Sequence, residues 1–591
     1  MTLLVNVELP RTLDSVTARL LAERPAGLTE VWLFEDSAAR AAAQSRLAAA
    51  GVQVRLRSAY KPLVHFFLEE VDLAALSRID ITYPVHPAAD PQRFLTEAYP
   101  LAGLVGDAAL QFRPGIDDLT YHVTLTHADG SRSDHRILAP NVVEPVGVKP
   151  NVVEVGHCGA PVLRCCGWQR EGAAPGSHLT TDFEALFLAA VAAVRSHDWG
   201  QDAPFFDRLM VRVDLPAADH ILGYCSEIIS FREAMHEDLF FSLRECLLPA
   251  PDAAGRSNHA RPGQVVPDIR AGDAPRLVMT LEAFDAATET TGPDQPLATA
   301  HRPLTIGQIR RELATIEGVP IGATSREGRA VRGIYRAGPG PAVLITSGQH
   351  ANETSGPVGA LRAAQALARD PDAHFAIVPV ENVDGYELHQ RLIVENPFHM
   401  HHAARYTAVG DDLSSGQGVP AYERDARKQA LALSGAKLHL NLHGYPSHEW
   451  TRPMSGYLPR GFEHWTIPKG FFLILVAHPG WEAIGQALLD AIVSGLAAEC
   501  PALIAFNAEQ LACVAVHMPA APFEVRQGIP CIVDTNTYYD TPLTVITEAT
   551  DETIYDALFR AAHDAQTRTV LLAVAAFRGL ADRVETASMA V

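Results

Sequence analysis

Along the 591 residues the alternation of hydrophobic and polar positions changes period twice, which separates three regions. Over the first ninety, residues 3–9, 30–34 and 52–56 read as strands and the Ala-rich run 37–50 as a helix. This β-α-β pattern has no glycine-rich turn, so 1–90 is expected to be a small α/β domain without a nucleotide site. From 91 to 295 the pattern predicts an α+β accessory domain, with short strands near 119–126, 152–155 and 209–213 and helices over 182–195 and 225–247. The Pro/Gly/Asp-rich stretches 249–275 and 290–303 read as surface loops or a linker, which places a boundary near 300. Beyond 304 the signals become regular. Helices are predicted at 305–317, 355–368, 481–499 and from about 551; strands at 332–335, 342–346, 375–379, 438–442 and 471–476, with extended pieces at 523–526 and 531–534. Strands alternating with helices predict an α/β fold, a mixed and mostly parallel central sheet lying between helices.

Composition narrows the function classes. Hydrophobic residues at 48% and charged residues at 20% describe packed globular domains, and the length suits about two to four of them. The net charge of −21 repels phosphate backbones and anionic lipid, so nucleic acid is not an expected partner. None of the five lysines follows a glycine, which excludes the Gly-Lys step of a phosphate-binding P-loop. The longest apolar stretches, such as 185–194 and 471–477, fall short of the roughly 18 residues that span a bilayer, so no membrane partner is expected. The N-terminal residues lack the regions of a secretory signal, and the expected location is cytoplasmic. Eight cysteines without CxxC spacing read as reduced thiols; His157-Cys158 and Cys165-Cys166 are closer to buried free thiols than to a second metal site. There is no GxSxG elbow and no catalytic cysteine motif.

The candidate chemistry lies after residue 340. A buried strand runs through Gly348 into His350 and Glu353, which have two residues between them in a tight turn that leads into a helix. Sites in open α/β sheets form at such strand ends, and imidazole with carboxylate suits Zn²⁺, which in catalytic sites takes three protein ligands. His443, where the alternating strand Leu438-His439-Leu440-Asn441-Leu442 meets Gly444, is the better third ligand; His439, inside that strand, reads as a hydrogen-bonded structural residue.

Several separated motifs resemble the zinc carboxypeptidases, the metallopeptidase family typified by carboxypeptidases A and B. Ile321-Gly322 through Ser325, Glu327, Gly328 and Arg329 is similar to the family's I-G-x-S-x-E-G-R segment, one residue longer. His350-x-x-Glu353 resembles its paired ligands, Asn382-Val383-Asp384-Gly385-Tyr386 its N-P-D-G-[YF] turn, Gly410 to Leu413 its G-V-D-L-N-R segment, and His443-Gly444-Tyr445 its H-S-Y third ligand. The resemblance implies a zinc carboxypeptidase-like catalytic domain over 304–591 that holds one Zn²⁺ per chain on His350, Glu353 and His443. It also implies hydrolysis of a peptide or small amide substrate by a metal-activated water. Pro522-Phe523-Glu524-Val525-Arg526 resembles the strand that carries the family's general base, which assigns that role to Glu524 over its rival Glu548, an acid read as lying near the start of the C-terminal helix. Arg405 lies where the family places an arginine that stabilises the oxyanion, with Arg391 as the alternative.

Two departures bear on the substrate. Ser414 and Ser415 stand where the family's Asn-Arg pair grips a terminal carboxylate, and Asn352 stands where an arginine is common. Gly348-x-His350-x-Asn352-Glu353-x-x-Gly356 is also similar to the first motif of the succinylglutamate desuccinylase and aspartoacylase branch, which makes N-acyl amino acid deacylation the alternative activity. His399, His401 and His402 read as a polar loop with exposed imidazoles, with lining the cleft or binding a second metal as the alternatives, and His448, Glu449 and His464 read as surface-loop residues. A non-catalytic protein of the same fold is disfavoured, because candidates for all three ligands and the base are present.

Overall fold

Two nine-residue strands, Leu438–Pro446 and Leu543–Asp551, are buried at every position and pair in parallel register. Strands covered on both faces are apolar along most of their length, and Leu438, Leu440, Leu442, Leu543 and Val545 fit that rule. The computed structural model describes residues 1–116, 119–144, 161–247, 261–285, 289–413, 420–458 and 462–590. These divide into two compact units.

The unit made of Ala283–Ser447, Pro468–Ala512 and Pro522–Val591 is built on a nine-stranded sheet. In chain order its strands are β1 (Val319–Thr324), β2 (Ala330–Arg336), β3 (Val343–Ser347), β4 (Phe375–Val378), β5 (Leu438–Pro446), β6 (Phe472–Ala477), β7 (Glu524–Arg526), β8 (Ile529–Thr535) and β9 (Leu543–Asp551). Their spatial order is β1-β2-β4-β3-β5-β9-β6-β8-β7. The central run β4-β3-β5-β9 is parallel, and β6 returns antiparallel to β9. The helices Ser355–Leu367, Glu482–Glu499 and Asp556–Gly579 pack on one another and on the sheet, and Arg424–Ser434 packs over β1, β2 and β4. Leu361, Phe375, Leu440, Phe559 and Phe577 belong to the core they enclose. The mixed α/β architecture expected from the sequence is present. The antiparallel pairs at its margins, β1/β2, β2/β4 and β7/β8, make it less parallel than the helix alternation implied.

Two local features follow from packing. β9 runs through Asp551, and the C-terminal helix starts only at Asp556, later than the expected 551. Glu548 is therefore a strand residue, not a helix-start acid. Asp551 in turn accepts hydrogen bonds from the backbone N–H and the hydroxyl of Ser355, capping the helix Ser355–Leu367 from another element.

The other unit comprises Met1–Glu282, His448–Ile467 and Cys513–Ala521. Its first strand, Thr2–Glu8, pairs with Arg276–Glu282, so the first ninety residues share a sheet with strands some 270 positions on, across the boundary expected at 90. The stretch 249–275, read as loop or linker, contains the buried strand Gln264–Ala271. Pro267 inside it obscured the pattern. The strand lies at the edge of its sheet, where the missing N–H of proline costs no ladder bond. The expected strand 152–155 and the pair His157-Cys158 lie outside the described residues; Cys165 and Cys166 are buried free thiols.

His448 and Glu449, read as surface residues, are buried in this unit. His448 Nε2 lies 2.8 Å from both carboxylate oxygens of Glu233, and Glu449 pairs with the buried Lys61. Among the described residues no single helix is long and apolar enough to cross a membrane.

Glu184 closes a capping box with Thr181 and also meets Arg164 at 2.6 Å and His178 at 2.9 Å. Burial favours its neutral form, but the bonds from His178, Arg164 and the Gly167 N–H outweigh that and hold it at about 2. A carboxyl lowered by folding contributes stability above its ordinary value of 4.5 and loses it as the pH falls from there toward 2. The urea midpoint of Glu184→Gln is therefore expected to fall less between pH 6 and pH 3.5 than that of the unaltered protein. Equal falls would contradict this assignment.

Candidate metal centre

β3 ends at Ser347, and the chain reverses at Gly348, whose φ of +58° lies in the left-handed region. A side chain there would also crowd the Val380 backbone at 3.1 Å. The turn delivers His350 and Glu353 to the C-terminal ends of the parallel strands, and His443 reaches the same point near the end of β5. Nδ1 of His350 lies 2.7 Å from Glu353 Oε1, Nδ1 of His443 lies 2.8 Å from Glu353 Oε2, and the two Nδ1 atoms are 3.0 Å apart. All three residues are buried, and among the described residues this is the one group of His, Cys, Asp and Glu side chains whose ligand atoms gather within 4.8 Å.

The donor set fits zinc. Two imidazole nitrogens and a carboxylate at ~2.0–2.1 Å from a tetrahedral ion would stand roughly 3.3 Å apart, close to the separations seen. Burial lowers the His443 imidazole toward the neutral form that a ligand requires, against the pull of Glu353. Burial would raise the Glu353 carboxyl, but the two imidazoles outweigh it and hold it well below the carboxylate range.

The surrounding residues orient the ligands. Asp412 Oδ2 lies 3.5 Å from His350 Nε2, the nitrogen turned away from the triad, as carboxylates behind metal-bound histidines do. The Gly444 N–H donates to Glu353 Oε2 at 3.1 Å, and the Gln566 amide donates to the carbonyl of His443 at 2.9 Å. Asp412 was part of a recognised motif, but nothing in sequence spacing marked it as the partner of His350.

Arg405 joins the site. Its guanidinium lies 3.3 Å from Glu353 Oε1 and 3.8 Å from Asp412 Oδ2. Arg391 is on the helix Val383–Glu395, and among the described residues no hydrogen bond or ion pair links it to the triad. His439 bonds Thr346 Oγ1 at 2.7 Å inside the sheet, the structural role expected of it. Asn352 is turned to Glu552, donating to Oε2 at 2.8 Å. His399, His401 and His402 are buried, unlike the exposed loop expected, and His402 opens the helical turn His402–Arg405 that carries Arg405. Ser414 and Ser415 lie outside the described residues.

The expectation for the general base fails. Glu524 sits on β7 at the outer edge of the sheet, its side chain 69% exposed and paired with Arg526. Three strands separate it from β5, a distance of roughly 19 Å at the usual strand spacing. Glu548 instead is the register partner of His443 on β9 and is buried. Burial pushes its carboxyl well above the usual range, and the negative charge of Glu353 adds to this, while Arg405 and Lys469 oppose it.

Residues 314–415 match the zinc carboxypeptidase family. This match lies within the unit built on the nine-stranded sheet. The match takes in His350, Glu353, Arg405 and Asp412; His443 and Glu548 lie beyond it. No curated protein matches the chain. Similar solved structures include a metallo-carboxypeptidase from Pseudomonas aeruginosa in complex with (2-guanidinoethylmercapto)succinic acid, at 15% identity and TM-score 0.29, covering 54% of this chain and 77% of that one. Others are carboxypeptidase A from Helicoverpa armigera, at 12% and 0.31 over 53% and 91%, and a metallo-carboxypeptidase from Burkholderia cenocepacia, at 14% and 0.29 over 52% and 76%.

Asp412→Asn tests the support of the ligands. The zinc affinity of the purified variant, measured by chelator competition, should fall by about 10- to 100-fold. Unchanged affinity would remove Asp412 from the centre.

Proposed function

We propose that this protein is a zinc-dependent amide hydrolase of the carboxypeptidase type, with His350, Glu353 and His443 holding one Zn²⁺ per chain and Glu548 as general base. The pairing of Glu548 with His443 carries this reading, because it sets a buried carboxylate beside the ligand triad on one face of the sheet. Bound zinc would act as a Lewis acid toward the scissile carbonyl and lower the pKa of water. Glu548 takes a proton from the attacking water and returns it to the leaving nitrogen. A raised carboxyl suits both halves of that task, since it is a stronger base and gives up the proton nearer neutral pH. Arg405 offers its guanidinium to the oxygen that becomes negative in the tetrahedral intermediate.

Recognition of a C-terminal carboxylate does not follow, since serines replace the Asn-Arg pair at 414 and 415. A panel of N-benzoylglycyl dipeptides and N-acyl amino acids separates peptide from small-amide cleavage. On whichever member is cleaved, Glu548→Gln should lower kcat by ~10²–10⁴-fold with zinc content unchanged, and Glu524→Gln should match the unaltered enzyme. Full activity in Glu548→Gln would overturn the mechanism.

A further inference from the structure

Lys469 is one of five lysines in the chain, and its side chain is buried beside the metal centre. β9 lies between β5 and β6, and Glu548 is in register with His443 on one side and Phe472 on the other. Tyr445, two positions beyond His443, is in register with Thr550. Register partners on neighbouring strands project from the same face, and so do residues two apart on one strand. His443, Tyr445, Glu548 and Phe472 therefore share a face, and the rings of Tyr445 and Phe472 meet over β9 with centroids 5.3 Å apart.

Lys469 is anchored at this ring pair. Its backbone N–H donates to the Tyr445 hydroxyl at 2.9 Å, and that hydroxyl donates to the carbonyl of Gly470 at 2.5 Å. Its ammonium sits 4.7 Å from the centre of the Tyr445 ring and 5.0 Å from that of Phe472. Cation–π attraction offsets part of the loss of water, but a buried ammonium also calls for a counter-charge. Glu548 is the acid whose charge acts on it, against a burial effect that lowers the lysine to about 7.

We propose that Lys469 is a positioning residue for Glu548, its ammonium, set at the Tyr445–Phe472 ring pair, holding the carboxylate on the face shared with His443. This rests on the reading of Glu548 as the base. Seating the cation on two rings and a backbone loop leaves it little freedom, and the carboxylate it attracts is held to one side of β9. Without it, Glu548 would keep its place in the strand and lose its direction.

The test is a cycle of Lys469→Met, Lys469→Arg and Glu548→Gln, with Lys469→Met also made in the Glu548→Gln background. Thermal unfolding and steady-state hydrolysis of the best-cleaved panel member are both followed, with zinc content checked. Lys469→Met should lower the melting temperature by about 5 °C or more in the unaltered chain, and by much less in the Glu548→Gln chain, where no charge is left to pair. Its kcat should fall by about tenfold or more at nearly constant KM, and Lys469→Arg should recover most of that loss. Equal melting losses in both backgrounds, or a raised KM at unchanged kcat, would overturn the proposal. Full activity in Glu548→Gln would sink the base assignment, and the unfolding cycle would still decide the pairing.

Discussion

The centre depends on one constraint: ionisable side chains stand at the ends of parallel strands that are buried along their whole length. Glu353, His350, His443, Glu548 and Asp551 are all withdrawn from water. Buried charge is costly unless paired, and most of these groups meet a partner. Two imidazoles bracket Glu353, Ser355 bonds Asp551, and Arg405 bridges Glu353 to Asp412. Such mutual dependence fixes side-chain direction more tightly than loop packing would, and a metal site needs that.

Two of the recognised motifs prove to be one structural device. Asp384 accepts from the Ser325 hydroxyl at 2.7 Å, from the Glu327 N–H at 2.9 Å and from Arg329 at 2.9 Å. Asn382 caps the following helix through the Gly385 N–H at 2.9 Å. The turn before β2 is thus bound to the start of the helix after β4, close to where Glu381 and Asn382 hydrogen-bond back to Ser347 and Gly348. The motifs at positions 321–329 and 382–386 are thus tied to each other and, through Glu381 and Asn382, to the turn that leads to His350.

The segment that follows the third ligand shows a different economy. The chain leaves the unit built on the nine-stranded sheet after Ser447 and returns at Pro468. The described residues between are held in the N-terminal unit by polar contacts, including His448 with Glu233 and the Met454 N–H with Asp238 at 2.6 Å. Histidines and acids at that density read as a surface loop, and their burial became apparent only with their partners more than two hundred positions away.

What could be read from the chain itself was local. His350 and Glu353 are three apart, so one turn brings them together, and the alternation of Leu438 to His443 shows which histidine ends the strand. Many strands and helices of the C-terminal half follow from period and length, though the strand Leu543–Asp551 and the helices Val383–Glu395 and Arg424–Ser434 were not among those expected; the choice of Arg405 over Arg391 follows from the resemblance. The carboxylate beside the triad was not local. Glu524 and Glu548 are both glutamates on strands with β-branched residues, and no property of either segment says which strand lies beside β5. That is set by sheet order, which places β9 against β5 and sends β7 to the edge. The division at 90 failed for the same reason, since the pairing of Thr2–Glu8 with Arg276–Glu282 leaves no trace in either segment. Spacing along the chain determined the chemistry that one turn can assemble; pairing between distant strands, driven by burial of apolar surface with every backbone group bonded, decided which carboxylate joined it.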